Sequence, residues 1–205
     1  MYDFSVAMGL VDFIPVILFG VSMVLLQRDL YSRMGKSAFT LFAAGLVDIF
    51  AAGFLKALWK TLYAAGVCDF QVLNNLFLPL QSLGFLMAGV GMIKALTMKK
   101  SAALAVAPPV FSGTFVFIGM MVAGLGAICT CLAILAAKMK KKGYIAIFAL
   151  AFVVYMGMGY MSSRDSTSAV VNWIEQGINC LGQTLMLIGV YGLHKAGLGE
   201  FDWRK

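Results

Sequence analysis

Four ionisable residues lie inside stretches that are otherwise apolar, and they are the residues best placed to do chemistry. Asp12, Asp48, Lys56 and Glu175 each interrupt a hydrophobic run of membrane-spanning length, and Asp12 lies one turn before Pro15, which should kink its helix. A charged side chain at the centre of a bilayer costs at least ~2.5–3.5 kcal/mol on insertion scales. Such residues therefore face a cavity, pair with an opposite charge or stay neutral. The chemistry that they suit is solute binding or proton movement.

Amide side chains accompany these charges on two apolar segments. At about 100° per residue, five polar residues of the last segment fall within an arc of roughly 100°: Asn172, Glu175, Gln176, Asn179 and Gln183. On an earlier segment, Asn74 and Gln81 share one face in the same way. Amides that only join helices contribute about 0.6–2 kcal/mol each, and this is the alternative role for any one of them. As a set, we expect them to line an internal surface.

The positions of these residues along their segments predict one polar cavity in the outer half of the membrane. Its ligand-binding set is predicted as follows: Asp12, Asp48, Lys56, Asn74, Gln81, Glu175 and Asn179. Asp48 would form the floor near the midplane, and Lys56 would pair with Asp12 or Glu175. Lys60 and Trp59 are expected to be interface anchors, with Lys60 extending outward to water. The alternative is a buried Asp–Lys clamp that binds no ligand.

The composition is that of a polytopic membrane protein with one integral membrane domain over residues 1–205. Of its 205 residues, 61% are hydrophobic and 12% are charged, whereas soluble domains usually carry about 25% charged residues. The period-two alternation of membrane barrels is absent, so the fold class is all-α. Five spans are assigned directly, at about 6–26, 37–60, 74–97, 144–162 and 170–193.

The stretch 101–137 decides the number of spans, because it is long for one helix and short for two. If it crosses twice, there are seven spans, and 13 Lys and Arg residues lie on the cytoplasmic side against 3 outside. One crossing gives six spans and a division of 7 to 9. The positive-inside rule therefore favours seven transmembrane helices in the cell membrane, with the N-terminus outside. Six helices remain the alternative, since Pro108 and Pro109 would interrupt the additional span.

Internal similarity suggests that the chain contains two three-helix units, at 6–97 and 114–195. A shift of 98 residues matches Gly84 with Gly182 and Gly91 with Gly189, and a shift of 106 residues matches a second pair of segments. Seven spans would make the units parallel with a linker helix between them; six would make them inverted. The three-plus-one-plus-three layout resembles that of the PQ-loop and sugar-facilitator families. None of the four prolines precedes a glutamine, which the signature of the PQ-loop family requires, so no family is assigned.

The leading functional hypothesis is a small polar-solute transporter or facilitator with an outward-facing pocket, coupled to protons through Asp48. The alternatives are a membrane receptor or sensor module, or the substrate-binding subunit of a larger transporter. An intramembrane lipid enzyme is least favoured, because no catalytic residues, metal site or cofactor site can be assigned. The expected partners are membrane lipid and a small polar solute, with a homo-oligomer or a partner membrane subunit left open. The net charge of +7 is attributed to lysines near anionic lipid, and nucleic acid is excluded.

Overall fold

The regular elements of the described chain are all α-helices. The computed structural model describes residues 3–97, 114–161 and 168–203. Its helices are α1 Val6–Val11, α2 Phe13–Leu30, α3 Lys36–Ala64, α4 Gln71–Asn75, α5 Phe77–Thr97, α6 Thr114–Lys138, α7 Gly143–Met161 and α8 Ala169–Lys195. These bounds agree within a few residues with the five spans that the sequence assigns directly.

Within the described ranges, four segments are long and apolar enough to cross a membrane: Val6–Leu30, Lys36–Ala64, Gln71–Thr97 and Phe115–Lys138. Each has 24–29 residues, so at 1.5 Å per residue each exceeds the ~30 Å hydrocarbon thickness. α7 contributes a shorter apolar stretch. α8 has 27 residues, a length similar to that of the four segments, but it carries the polar stripe. The described part of the chain is thus all-helical, as composition predicted, and it has four helices compatible with a membrane protein.

The first three long helices form an antiparallel series. α2 and α3 are joined by the short turn at 31–35, and α3 packs along α5. A Cβ at Gly84 would lie 2.9 Å from Ile49 Cγ1, and a Cβ at Gly91 would lie 2.9 Å from Phe42 Cβ. Because the later residue of α5 meets the earlier residue of α3, these two helices run in opposite directions. Glycine at these positions allows the two backbones to approach closely.

The last two helices repeat this packing. A Cβ at Gly182 would lie 2.9 Å from the ring of Tyr155, and a Cβ at Gly189 would lie 2.5 Å from the ring of Phe148. α7 and α8 are therefore antiparallel. Gly182 and Gly189 follow the α5 residues Gly84 and Gly91 by 98 residues. Tyr155 and Phe148 follow Ile49 and Phe42, which contact the α5 glycines, by 106 residues. Both pairs of contacts thus recur at the shifts that the sequence comparison identified.

α8 runs parallel to the segment formed by α1 and α2 and contacts it near both ends. Near the start of α8, Gln176 Nε2 donates a hydrogen bond to the Met8 carbonyl oxygen at 2.9 Å. Near its end, His194 Nδ1 lies 2.9 Å from both carboxylate oxygens of Asp29. α6 and α7 are joined by the tight turn at 139–142 and are antiparallel. These relationships fix the direction of each long helix relative to α2.

α5 and α6 consequently run in the same direction. Both end at one end of the bundle, called the basic end and defined by Arg28, Arg33, Lys36, Lys138 and Lys195. The chain leaves α5 at the basic end and enters α6 at the opposite end, called the cavity end. The intervening residues 98–113 lie outside the described residues, and the additional crossing of the seven-helix expectation falls on them.

The long helices form a closed ring. α2 contacts α3, α3 contacts α5, α5 contacts α6, and the series continues through α7 and α8 back to α2. The most deeply buried side chains, including Phe42, Leu132, Phe148 and Val190, lie inside this ring with no exposed surface. Helices in lipid associate through such packing rather than through a hydrophobic driving force between them.

The segment after α8 covers the basic end of the ring. Arg33 Nε donates to the Gly199 carbonyl oxygen at 2.6 Å, and Lys138 Nζ donates to the Trp203 carbonyl oxygen at 2.6 Å. Leu198 and Trp203 are buried beneath these contacts, at 0% and 4% exposure. This end of the ring is therefore closed by the chain itself.

Candidate functional site: a charged cavity inside the helix ring

A polar cavity of about 60 Å³ lies within the ring at the cavity end. One water needs only ~10–15 Å³, so the space admits several waters or a small solute. Its polar lining consists of Asp12, Lys56, Lys60, Asn172, Glu175, Gln176 and Asn179. Val16, Gly53, Ala57, Phe77 and Met158 complete the wall. Most of the long helices thus contribute to one small space.

Asp12 reaches the cavity from the junction of the first two helices. α1 ends at Val11 and α2 begins at Phe13, with Asp12 between them in a helical backbone conformation. Pro15 follows one turn later and has no N–H with which to continue the hydrogen-bond ladder from the preceding turn. This junction, called the helix break, places a carboxylate on the cavity wall.

The Asp12 carboxylate pairs with Lys60. Lys60 Nζ lies 2.7 Å from Asp12 Oδ2 and donates a second hydrogen bond to Asn172 Oδ1 at 3.2 Å. Asn172 Nδ2 in turn donates to the Ser168 carbonyl oxygen at 3.0 Å. The side chains of Lys60 and Asp12 are only 5% and 15% exposed. This satisfied set, called the closed ion pair, joins the helix break to α3 and α8.

The closed ion pair corrects the expectation for Lys60 and Trp59 as interface anchors. Lys60 is buried inside the ring rather than extended to water, because a carboxylate and an amide there satisfy its ammonium group. Trp59 is also buried, at 2% exposure, and its Nε1 donates to Asp69 Oδ1 at 3.0 Å. Both side chains therefore stabilise the packing at the cavity end through contacts with other parts of the chain.

Lys56 and Glu175 also face the cavity, and in the described part of the chain neither belongs to a close ion pair. Both are half-buried, and Lys56 Nζ lies 4.1 Å from the centroid of the Phe77 ring, a cation–π contact. Within the described ranges, no carboxylate lies within 4.0 Å of Lys56 Nζ. The cavity therefore offers one positive and one negative group to an occupant.

The amides of α8 complete the polar wall. Gln176 is 4% exposed; its Nε2 is bound to Met8, while its Oε1 is buried with no hydrogen-bond partner in the described part of the chain. Asn179 lines the same wall. Asn172, Glu175, Gln176 and Asn179 are spaced three and four residues apart, so one face of α8 presents them all.

The structure brings four of the seven predicted site residues to this cavity: Asp12, Lys56, Glu175 and Asn179. The other three do not line it. Asp48 is half-buried and lies at the contact between α3 and α5, where its Cβ is 3.0 Å from the Cβ position of Gly84. Asn74 in α4 and Gln81 in α5 are half-buried elsewhere.

Three polar lining residues were not in the predicted set: Lys60, Asn172 and Gln176. The signal for the two amides was present, because both belong to the polar arc of α8. The signal for Lys60 was its spacing of four residues from Lys56, which places both ammonium groups on one face of α3.

A layer of apolar side chains separates this cavity from the basic end. It surrounds a smaller space of about 20 Å³, and its walls are mainly the following residues: Phe19, Met23, Leu26, Leu46, Phe85, Leu125, Ile128 and Met186. Ser22, Tyr155 and Gln183 are the polar contributors. The cavity is therefore closed on the side of the basic end.

The polar groups that line the cavity are carboxylates, ammonium groups and side-chain amides. Among the described residues, no group of three or more His, Cys, Asp or Glu side chains is arranged to hold a metal ion. Comparisons of the chain with known protein families, characterised proteins and solved structures give no match.

Proposed function

We propose that this protein is a small polar-solute transporter or facilitator whose pocket opens to the outside of the cell. The observation that carries the proposal is the cavity itself, in which Lys56 and Glu175 face a common space inside a ring of membrane-length helices. Ionisable residues at membrane depth are costly, and they usually mark a substrate or ion pathway. The Lys60–Asp12 pair can serve a purely structural role, because each of its two charges already has an opposite charge beside it.

The proposed topology has seven transmembrane helices, with the N-terminus outside. Support comes from the parallel directions of α5 and α6, since the chain between them joins opposite ends of the ring. The distribution of charge agrees with it, because the basic end would face the cytoplasm under the positive-inside rule. The cavity end then faces outward.

We further propose that the two three-helix units are parallel repeats. The glycine contacts of α5 on α3 and of α8 on α7 are related by the shifts of 98 and 106 residues. In the ring, α2, α3 and α5 are followed by α6, α7 and α8, so a half-turn about the ring axis would exchange the units. Parallel repeats related by such an axis occur in secondary transporters.

Transport by this arrangement would require the apolar layer to open toward the basic end. Rocking of one three-helix unit against the other is the usual route to such an opening, with the bound solute at their interface. The conformation described is then the outward-facing one, closed at the basic end by the segment that contains Leu198 and Trp203. The proton-coupling role of Asp48 remains part of the proposal.

Uptake by reconstituted vesicles tests the proposal. Proteoliposomes would be offered radiolabelled glycine, urea and acetate, and accumulation would be compared with that in protein-free liposomes. The proposal expects at least one probe to accumulate, and it expects Lys56→Met to slow that uptake by roughly tenfold or more. Lys142→Met is the matched control, because it removes an exposed lysine at the basic end. Absence of uptake for all of these probes would contradict the proposal.

A further inference from the structure

The charges in the cavity divide into one set that is satisfied and one that is available. In the satisfied set, Lys60 bonds Asp12 and Asn172, and the geometry leaves both ions paired. In the available set, Lys56 and Glu175 line the same space without an ion pair of 4.0 Å or less among the described residues. Both sets line the same cavity, but only Lys56 and Glu175 are available to pair with a ligand.

The positive group is positioned for a ligand. The aromatic ring of Phe77 lies 4.1 Å from Lys56 Nζ and covers it on one side. Lys56 and Phe77 both line the cavity, so the ammonium group is held between the ring and the open space. An ammonium group has three donors and prefers a charged acceptor such as a carboxylate.

The negative side of the cavity supplies acceptors. Glu175 contributes a carboxylate, and Asn179 contributes an amide to the same wall. The neighbouring Gln176 amide is held in place by the bond from its Nε2 to the Met8 carbonyl oxygen. Carboxylate and amide oxygens accept hydrogen bonds from an ammonium group.

A ligand with only one charge would satisfy half of this arrangement and leave the other charge desolvated. We infer that the cavity binds a small zwitterion of the amino-acid class, with its carboxylate on Lys56 and its ammonium group on Glu175. This inference rests on the proposed function, whose pocket it assigns to a substrate class. The cavity of about 60 Å³ has room for a few non-hydrogen atoms, as in glycine.

Calorimetric titration of the purified full-length chain in lipid nanodiscs tests the ligand class without requiring transport. The probes are glycine, acetate and methylammonium, which carry both charges, the negative charge alone and the positive charge alone. We expect glycine to bind at least roughly tenfold more tightly than either single-charge probe. Equal or weaker binding of glycine than of acetate or methylammonium would overturn the inference. Wild-type selectivity decides this, whether or not a variant folds.

Substitutions then assign the two contacts. Glu175→Gln should weaken glycine binding by roughly tenfold or more, and the protein should retain acetate binding, whereas Lys56→Met should weaken both. Glu200→Gln is the control, because Glu200 is exposed at the basic end. If Glu175→Gln leaves glycine binding unchanged, the assigned orientation is wrong.

The vesicle assay separates the two proposals. Glycine binding without uptake of any probe would support the zwitterion site and contradict the transporter. Uptake of urea or acetate without glycine binding would support the transporter and contradict the zwitterion site.

Discussion

Lys60 Nζ lies 2.7 Å from Asp12 Oδ2, and this ion pair joins the break between α1 and α2 to the interior face of α3. Both side chains are largely removed from solvent. Burial makes such a pair costly to form, but removal of one partner is more costly because an uncompensated charge remains. The pair therefore acts as an internal constraint on the shape of the cavity end.

Asp12→Leu should destabilise the protein by about 3–5 kcal/mol, because it leaves the Lys60 ammonium group buried without its carboxylate. The double variant Asp12→Leu with Lys60→Met should recover much of that loss, since it leaves no buried charge. Thermal unfolding of the purified variants measures both. A single variant as stable as the native protein, or a double variant less stable than the single one, would contradict the assigned role.

Close packing of α3 on α5 gives a second prediction. A Cβ at Gly45 would lie within 3 Å of backbone atoms of Gly84 and Ala88, so Gly45→Ala forces the helices apart. We expect a loss of about 1–3 kcal/mol or more in unfolding free energy. Gly177→Ala is the matched control, because a Cβ there would meet nothing within 4 Å. Similar stability of the two variants would show that the contact is not as tight as described.

Closure of the basic end gives a third prediction. Trp203 is 4% exposed, and its carbonyl oxygen accepts a hydrogen bond from Lys138. Trp203→Ala removes a large buried side chain and should cost about 3–5 kcal/mol. Glu200→Ala, in the same segment but exposed, should have little effect. If both variants unfold at the native temperature, the segment does not stabilise this end of the ring.

Proton coupling gives a fourth prediction. Asp48 is half-buried at the contact of α3 with α5, and its carboxylate is the coupling group in the proposed transporter. Asp48→Asn keeps the shape and removes the titratable group, so uptake should continue but lose its dependence on external pH. Proteoliposomes with an imposed pH gradient provide the measurement. Uptake by the variant that still responds to the gradient would exclude Asp48 as the coupling group.

Much of the cavity could be predicted because ionisable residues within apolar segments can be identified from the sequence, and burying their charges is costly. Asp12, Lys56 and Glu175 stand out in apolar segments, and Asn179 lies on the same face of α8 as Glu175. Their depth could be estimated from their position along each segment. Residues of this kind must face the interior, so their convergence follows from the architecture.

The roles of Asp48 and Lys60 depended on the rotation of α3, which depth alone does not give. At about 100° per residue, Lys60 lies roughly 40° from Lys56 around the helix, whereas Asp48 lies roughly 80° from Lys56 on the other side. A face that presents both lysines to the cavity therefore turns Asp48 toward α5. Position near the end of the span suggested water as the partner of Lys60, and only the helix break at Asp12 supplies a carboxylate instead.

The directions of the helices could be predicted from the distribution of Lys and Arg residues along the sequence. The excess of Lys and Arg on one side predicted that α5 and α6 would both end there, and their parallel directions agree with it. The partition of residues 101–137 was harder to predict, because apolar composition is similar throughout. The structure assigns 25 residues from Thr114 to a single helix, longer than the two short spans expected.

The most direct test of an outward-facing solute cavity is thiol labelling on intact cells. Single cysteines would replace Asn179 in the cavity and Lys141 at the basic end, each in a cysteine-free background, and a membrane-impermeant thiol reagent would be applied. If the cavity faces outward, we expect the Asn179→Cys variant to be labelled and the Lys141→Cys variant to be protected until the cells are permeabilised. Labelling of Lys141→Cys with protection of Asn179→Cys would place the cavity on the cytoplasmic side and contradict the outward-facing orientation.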